Sequence, residues 1–107
     1  MSDLKWDKAF ALEQVADDEG LLQELVEIFK ESALSDLAGI QQGIEKGDAV
    51  MGEASAHSIK GAAASLGFHG LREVTEAMET DCRNGSLGVV TAQLPELEKL
   101  LDLLQEV

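Results

Sequence analysis

The residues best suited to chemistry in this chain are a histidine, a lysine and a glycine that lie close together, His57, Lys60 and Gly61. On a helix, which turns by about 100° per residue, Lys60 and Gly61 lie beside His57. The apolar residues Ile59 and Leu66 lie on nearly the opposite side. The spacing therefore predicts a helix that buries Ile59 and Leu66 and exposes His57 next to a cation and a very small residue.

An exposed histidine in this setting could act as a nucleophile towards phosphorus. A histidine side chain has an ordinary pKa of about 6.5, so much of it is neutral at cytoplasmic pH and one ring nitrogen keeps a free lone pair. That nitrogen can attack a phosphoryl group and later release it. The long side chain of Lys60 can place its ammonium group over the imidazole and neutralise phosphoryl oxygens. Gly61 and Ala64 leave room for the backbone of another protein.

Plainer interpretations of the same residues remain open. His57 could be an ordinary surface histidine, and Lys60 a solvated lysine. A glycine inside a helix costs about 1 kcal/mol relative to alanine, so Gly61 serves either close helix packing or the close approach of a partner. Glu53, one turn before His57, could form a weak metal site with it, although two ligands do not make a stable site. Ser65 could donate a hydrogen bond or merely pack.

His69 and Cys82 are the other candidate reactive side chains. His69 lies in the segment Phe68-His69-Gly70, which we interpret as a connection, and its role is expected to be structural. Cys82 is the only cysteine and has no redox or metal motif around it, so we expect it to be buried and inert. A single cysteine allows no internal disulfide, which agrees with a reducing compartment.

The chain lacks the motifs of a protein that takes phosphate from ATP. It has no Gly-rich nucleotide loop of the Walker type and no protein-kinase signature. Apart from Glu53, no acidic residue able to hold Mg²⁺ is evident beside His57. We therefore expect a phosphocarrier rather than an enzyme, with no cofactor, ATP or metal site of its own. A partner protein would supply the catalytic groups and the metal.

The composition is that of one acidic helical domain. The chain has 107 residues, of which 45% are hydrophobic and only 4% aromatic, which predicts a single domain over residues 1–107 with a mainly aliphatic core. Its formal net charge is −13, from 21 acidic and 8 basic residues. This charge repels the phosphates of nucleic acids and the surface of anionic membranes, so we expect neither as a partner.

The N-terminus gives no targeting signal. No apolar run approaches the roughly 20 residues needed to span a bilayer, and residues 1–6 do not resemble a signal peptide. We expect a cytoplasmic monomer. The sequence contains neither a dimerisation domain nor an ATP-binding domain, so we expect either a protein that stands alone or a fragment expressed alone, and the start at Met1 favours the first.

Capping residues and breaks in the apolar pattern predict five helices. A short helix follows the cap Asp7, a longer one follows Asp17 or Asp18, and residues 46–48 end that helix and cap the next. The predicted spans are about 7–15, 17–46, 49–66, 71–84 and 89–106. Pro95 either kinks the fifth helix or starts a separate one, and we favour one kinked helix.

The connections are all short, so successive long helices are expected to be antiparallel neighbours. The predicted fold is all-α, an antiparallel up-and-down four-helix bundle with a short extra N-terminal helix across one end. The residues expected to point inward are apolar and recur at helical spacing. They are Leu21, Leu22, Leu25, Ile28, Phe29, Leu37, Ile40 and Ile44 in the second helix, Leu71, Val74, Met78 and Cys82 in the fourth, and Val90, Leu94, Leu97, Leu100, Leu101 and Leu104 in the fifth.

Residues 57–67, His-Ser-Ile-Lys-Gly-Ala-Ala-Ala-Ser-Leu-Gly, resemble the signature of histidine-containing phosphotransfer (HPt) domains, His-x-x-Lys-Gly with a further glycine six residues later. The order of helices around this segment is similar to that of the family over almost the whole chain. The resemblance implies an HPt-like fold, in which helices two to five form the bundle and the histidine is exposed midway along the third.

The resemblance also implies roles for single residues. His57 would be the phosphoacceptor, modified on Nε2, Lys60 would help to neutralise the phosphoryl group, and Gly61 would give a partner clearance. In the family a polar residue of the following helix often hydrogen-bonds the other ring nitrogen. The matching position is Glu79, although some members have glutamine there.

The partners that the resemblance implies are receiver domains of response regulators and of hybrid sensor histidine kinases, which hold the aspartyl phosphate and the Mg²⁺. The chain would accept a phosphoryl group on His57 from a receiver aspartate or a hybrid kinase and pass it to another receiver, in a direction that the sequence leaves open. The alternative is a non-catalytic helical-bundle adapter that binds proteins and in which His57 is incidental.

Overall fold

The computed structural model describes residues 4–107, and every regular element in that range is an α-helix. The helices are α1 (Lys8–Gln14), α2 (Glu19–Lys46), α3 (Ala49–Leu66), α4 (His69–Arg83) and α5 (Gly88–Gln105). The expected all-α class is therefore confirmed.

Three aspartates begin the first three helices. The side chains of Asp7, Asp18 and Asp48 each accept a hydrogen bond from the backbone N–H three residues later, so each satisfies a donor that has no partner inside its helix. Gly47 and Gly67 end α2 and α3 in the left-handed conformation, with φ of 66° and 78°. The caps predicted from the sequence at both ends of α2 and at the start of α3 are thus observed.

The prediction that residues 68–70 form a connection was wrong, because α4 begins at His69. No side chain caps α4. Instead, the N-terminal segment supplies the acceptors, since Gly70 N–H donates to the carbonyl of Leu4 at 2.9 Å and His69 N–H to that of Lys5 at 3.3 Å. Phe68 is fully buried and stacks on the Trp6 ring, with ring centroids 4.9 Å apart. A distant segment therefore allows the helix to start earlier than its own sequence indicates.

The fifth helix is a single helix that continues through Pro95 rather than two separate helices, and it begins one residue earlier than predicted, at Gly88. Proline removes one backbone donor from a helix. The Pro95 side chain lies on the exposed side of α5.

The core is aliphatic and lies among the long helices. Its members are fully or almost fully buried: Leu22, Val26, Phe29, Ala33, Ile40, Ala56, Ile59, Ala63, Leu66, Phe68, Leu71, Met78, Cys82, Val90, Leu97, Leu100, Leu101 and Leu104. Two predicted inward residues are exposed instead, Leu21 at 41% and Ile28 at 62%. The predicted stripe on α2 was too broad, because neighbouring helices cover only one side of it.

Each long helix packs against two others. α3 contacts α2 and α4, α4 also contacts α5, and α5 contacts α2, while α1 lies against α3 and α2. The backbones of α2 and α3 approach closely, since a Cβ added to Gly43 would lie 3.1 Å from the backbone nitrogen of Gly52. α3 is therefore packed between α2 and α4, and one of its faces is exposed to solvent.

Candidate functional site

The orientation of α3 exposes His57. The opposite side of the helix is buried through Ala56, Ile59, Ala63 and Leu66. The side chain of His57 is 66% exposed. The helical arrangement that the spacing predicted is therefore present, and it follows from the burial of the apolar side.

Glu79, on the neighbouring helix α4, binds the imidazole of His57 on the side that faces the protein interior. Its Oε2 lies 2.6 Å from Nδ1 of His57, although the Glu79 side chain is only 4% exposed. A hydrogen bond with Lys60 lowers the pKa of the Glu79 carboxyl, burial opposes this by raising it, and the bond with His57 lowers it further. An ionised carboxylate can only accept, so Nδ1 must be the donor and its proton fixes the tautomer.

Two cations flank the same carboxylate. Nζ of Lys60 lies 2.5 Å from Oε1 of Glu79, and a terminal guanidinium nitrogen of Arg83 lies 3.1 Å from Oε2. Lys60 is not a freely solvated lysine, which was one of the two interpretations left open by the sequence, since its side chain is 29% exposed. Arg83 was missed at the sequence level, although its position four residues after Glu79 on a helix is a recognisable signal for an ion pair.

Glu53 takes part in the same network rather than in a metal site. Its Oε2 accepts a hydrogen bond from Nε of Arg83 at 3.1 Å. Within residues 4–107, no group of three or more histidine, cysteine, aspartate or glutamate side chains could hold a metal ion. The carboxylate of Glu53 therefore anchors the guanidinium from α3 while Glu79 holds it from α4.

Gly61 lies beside His57 on an open surface. A Cβ added to it would meet no atom within 4 Å, apart from the helix's own neighbouring backbone. Close helix packing is therefore excluded as the reason for this glycine. The hydroxyl of Ser65 donates to the carbonyl of Gly61 at 3.1 Å, so Ser65 bonds its own helix and not the imidazole.

The structure does not bring His69 or Cys82 into this site. Nε2 of His69 lies 3.7 Å from a carboxylate oxygen of Asp7, at the end of the molecule where α1 begins. Cys82 is buried, and burial raises the pKa of its thiol, with further contributions from the charges of Asp81 and Glu53. A thiol with a raised pKa is a poor nucleophile, which agrees with the inert role expected for Cys82.

The second ring nitrogen of His57, Nε2, has no hydrogen-bonding partner among residues 4–107. With the proton held at Nδ1, the lone pair of Nε2 is directed away from Glu79 and towards solvent. Two cations, an unobstructed glycine and an outward lone pair together suit reaction with an anionic electrophile supplied from outside.

None of the helices in the described part of the chain has the length and apolarity to cross a membrane. A family model for the Hpt domain matches residues 24–107. No curated protein and no solved structure matches the chain significantly.

Hpt domains are phosphocarrier modules, not classical enzymes, and the family implies histidine phosphotransfer in phosphorelay signalling and interaction with receiver domains and histidine kinases. The family match covers most of the chain and includes the motif on α3 and the helix that provides Glu79. The chain belongs to the Hpt domain family.

Proposed function

We propose that this protein is a phosphorelay intermediate in which Nε2 of His57 accepts a phosphoryl group from the aspartate of a receiver domain and returns it to the aspartate of another. The observation that supports this most strongly is the 2.6 Å contact between the buried Glu79 and Nδ1 of the exposed His57. That contact holds the proton on the nitrogen that does not react.

The proposed step exchanges one bond to phosphorus for another. The lone pair of Nε2 attacks the phosphorus atom of the aspartyl phosphate, and the P–O bond to the aspartyl carboxylate breaks, with its electron pair left on that oxygen. His57 keeps its proton on Nδ1 and becomes a phosphorylated imidazolium. Glu79 stabilises the new positive charge across the existing hydrogen bond. The reverse sequence transfers the group to a second receiver.

The neighbouring residues have separable roles in this proposal. Lys60 neutralises the phosphoryl oxygens, because its ammonium group lies on the same side of α3 as His57. Gly61 leaves the surface open for the partner's backbone. The Mg²⁺ and the aspartyl phosphate belong to the receiver.

We also infer that α2 to α5 form an antiparallel up-and-down bundle over a single domain. Contacts across three helix pairs support this arrangement. Residue numbers rise along one helix as they fall along its neighbour, as in the pairs Gly39 with Ser55 and Gly43 with Gly52 on α2 and α3. The same holds for His57 with Glu79 and Glu53 with Arg83 on α3 and α4, and for Lys30 with Gln105 and Gln41 with Glu98 on α2 and α5.

Transfer from a labelled receiver tests the proposal. Receiver domains of the source organism would be phosphorylated with radiolabelled acetyl phosphate and Mg²⁺, freed of excess reagent and mixed with this protein. We expect label on this protein that is stable in base and lost in acid, as a phosphohistidine is. The His57→Gln variant should take up no label.

His69→Gln is the matched control, because it replaces the other histidine, which lies outside the site. It should be labelled as the wild type is. Label that persists in His57→Gln would refute the assignment of the phosphoacceptor. Failure of every receiver and hybrid kinase to label the wild-type protein would refute the carrier function and favour the protein-binding adapter.

A further inference from the structure

Two cationic side chains pair with the single carboxylate of Glu79 in the unphosphorylated protein. Lys60 is paired with Oε1, and Arg83 with Oε2, the oxygen that also accepts from His57. Each of these cations would be sufficient to balance one carboxylate.

Lys60 faces two competing anions once a phosphoryl group is present. In the resting protein its Nζ lies 2.5 Å from the Glu79 carboxylate. A phosphoryl group on Nε2 of His57 adds about two negative charges near the same ammonium group. If Lys60 were the only cation beside Glu79, its departure would leave a nearly buried carboxylate without a counter-charge, which is costly.

We propose that Arg83 is a positioning residue that holds Glu79 and balances its charge, so that Lys60 can move from Glu79 to the phosphoryl group. This inference rests on the phosphocarrier function proposed above. Arg83 acts through Glu79 and Lys60, and it does not itself contact the phosphoryl group.

The geometry around Arg83 supports this division of labour. Arg83 and Lys60 bind different oxygens of Glu79, so either can leave without displacing the other. The Nε atom of Arg83 donates to Glu53 on α3 at 3.1 Å. Because Glu53 and Glu79 belong to different helices, the guanidinium is held from two sides. Lys60 forms no such second ion pair within residues 4–107, so it has one ion pair to give up where Arg83 has two.

The obvious alternative is that Arg83 contacts the phosphoryl group directly. Its side chain is 60% exposed, so that contact is sterically open to it. The two possibilities differ in whether the effect of Arg83 requires the charge of Glu79. A positioning residue that balances the Glu79 carboxylate has no further effect once glutamine has removed that charge, whereas a direct contact with the phosphoryl group contributes in either case.

A double-mutant cycle on transfer from a phosphorylated receiver distinguishes a positioning role of Arg83 from a direct contact with the phosphoryl group. Single-turnover rates and the lifetime of the phosphorylated protein would be measured for the wild type, Arg83→Gln, Glu79→Gln and the double variant. We expect Arg83→Gln to slow transfer by about tenfold in the wild-type background, and by less than about twofold in the Glu79→Gln background. Arg83→Lys keeps the charge beside Glu79 and should restore the rate to within about threefold of the wild type.

Arg72→Gln is the matched control, since Arg72 pairs with Glu76 at the same four-residue spacing on α4 but outside the site. It should transfer at the wild-type rate. Equal effects of Arg83→Gln in both backgrounds, or no effect in the wild type, would overturn the inference. Unfolding curves of each variant show whether a slow rate reflects loss of the fold. If Arg83→Gln does not fold, the transfer rate of Arg83→Lys alone tests the inference. If the wild type accepts no phosphoryl group at all, the proposed function fails instead.

Discussion

At the scale of single residues, the site is organised around one buried carboxylate. Glu79 binds the imidazole of His57 and pairs with Lys60 and Arg83, although its side chain is only 4% exposed. Burying a carboxylate is unfavourable unless such partners compensate for the lost hydration. Since three side chains share this one carboxylate, replacements within the set are expected to be strongly non-additive.

The Glu79 carboxylate should make a specific contribution to acid unfolding. Its pKa is lower in the folded protein, so the unfolded chain binds more protons in the acid range. The carboxylate therefore stabilises the fold above about pH 4.3, and this contribution is lost as the pH falls through the folded-state pKa. We expect the free energy of unfolding to fall more steeply below that pH for the wild type than for Glu79→Gln, measured by urea unfolding.

Glu76→Gln removes an exposed carboxylate from the same helix and controls for the loss of one negative charge. Parallel pH profiles for the wild type and Glu79→Gln would show that the ion pairs around Glu79 do not stabilise its ionised form.

Part of this site could be predicted from the sequence because its residues are close together in the chain. His57, Lys60 and Gly61 occur within one turn and a half of helix, so periodicity alone places them on one side. Arg83 joins them only because α3 packs against α4, and a contact between helices is not encoded in the spacing of either one. The position of Glu79 came from the family resemblance, and its burial and its two cations required the structure.

At the scale of elements, one glycine within α3 and the glycine that follows its last residue have opposite requirements. Gly61 lies within the helix on an open surface, whereas Gly67 ends the helix with a φ of 78°. A Cβ at Gly67 would lie 2.6 Å from the backbone carbonyl oxygen of Asp7. The first glycine weakens the helix without serving its packing, and the second allows the N-terminal segment to approach.

Alanine at these two positions should change stability in opposite directions. Gly61→Ala is expected to raise the free energy of unfolding by about 0.5–1 kcal/mol, because alanine is the better helix former and has space there. Gly67→Ala is expected to lower it by more than about 2 kcal/mol, because the left-handed backbone and the contact with Asp7 both oppose a side chain. Urea unfolding monitored by circular dichroism measures both.

Gly47→Ala is the control for backbone conformation alone. Gly47 also ends a helix in the left-handed region, with a φ of 66°, but nothing lies within 4 Å of an added Cβ. Its cost should be about 1 kcal/mol, the penalty of the left-handed conformation. Equal losses for Gly47→Ala and Gly67→Ala would contradict the close approach of the N-terminal segment.

The elements also show where sequence patterns fall short. The caps of α1, α2 and α3 are side chains close in sequence to the backbone groups they bind, and they were predictable. The first backbone donors of α4 bind carbonyls of Leu4 and Lys5, more than sixty residues away. The exposure of Leu21 and Ile28 likewise depends on which sides of α2 its neighbours cover, which hydrophobicity alone does not specify.

At the scale of the whole molecule, the N-terminal segment is integrated with the helices that present the site. The family match begins at residue 24, yet Trp6 contacts the last residue of α3 and the residue that precedes α4. The Trp6 indole N–H donates to the carbonyl of Leu66 at 2.9 Å, and its ring stacks on Phe68. Asp7 N–H donates to the carbonyl of Gly67 at 2.9 Å. These contacts fix the end of α3 and the start of α4 together.

Unfolding of the whole chain should therefore be one cooperative event. Trp6 is the only tryptophan, so its fluorescence reports on the N-terminal contacts, whereas far-ultraviolet circular dichroism reports on the helices. We expect the two signals to give the same midpoint in urea. A fluorescence transition at clearly lower urea would show that the N-terminal segment detaches first and that the chain is not a single folding unit.

The most direct test of the central proposal is a nuclear magnetic resonance spectrum of the phosphorylated protein, labelled with ¹⁵N in histidine, that correlates phosphorus with the ring nitrogens. After transfer from a phosphorylated receiver, we predict one phosphorus signal coupled to Nε2 of His57, with the proton on Nδ1, the nitrogen that faces Glu79. Phosphorus on Nδ1 of His57, on His69, or on no histidine would contradict the account.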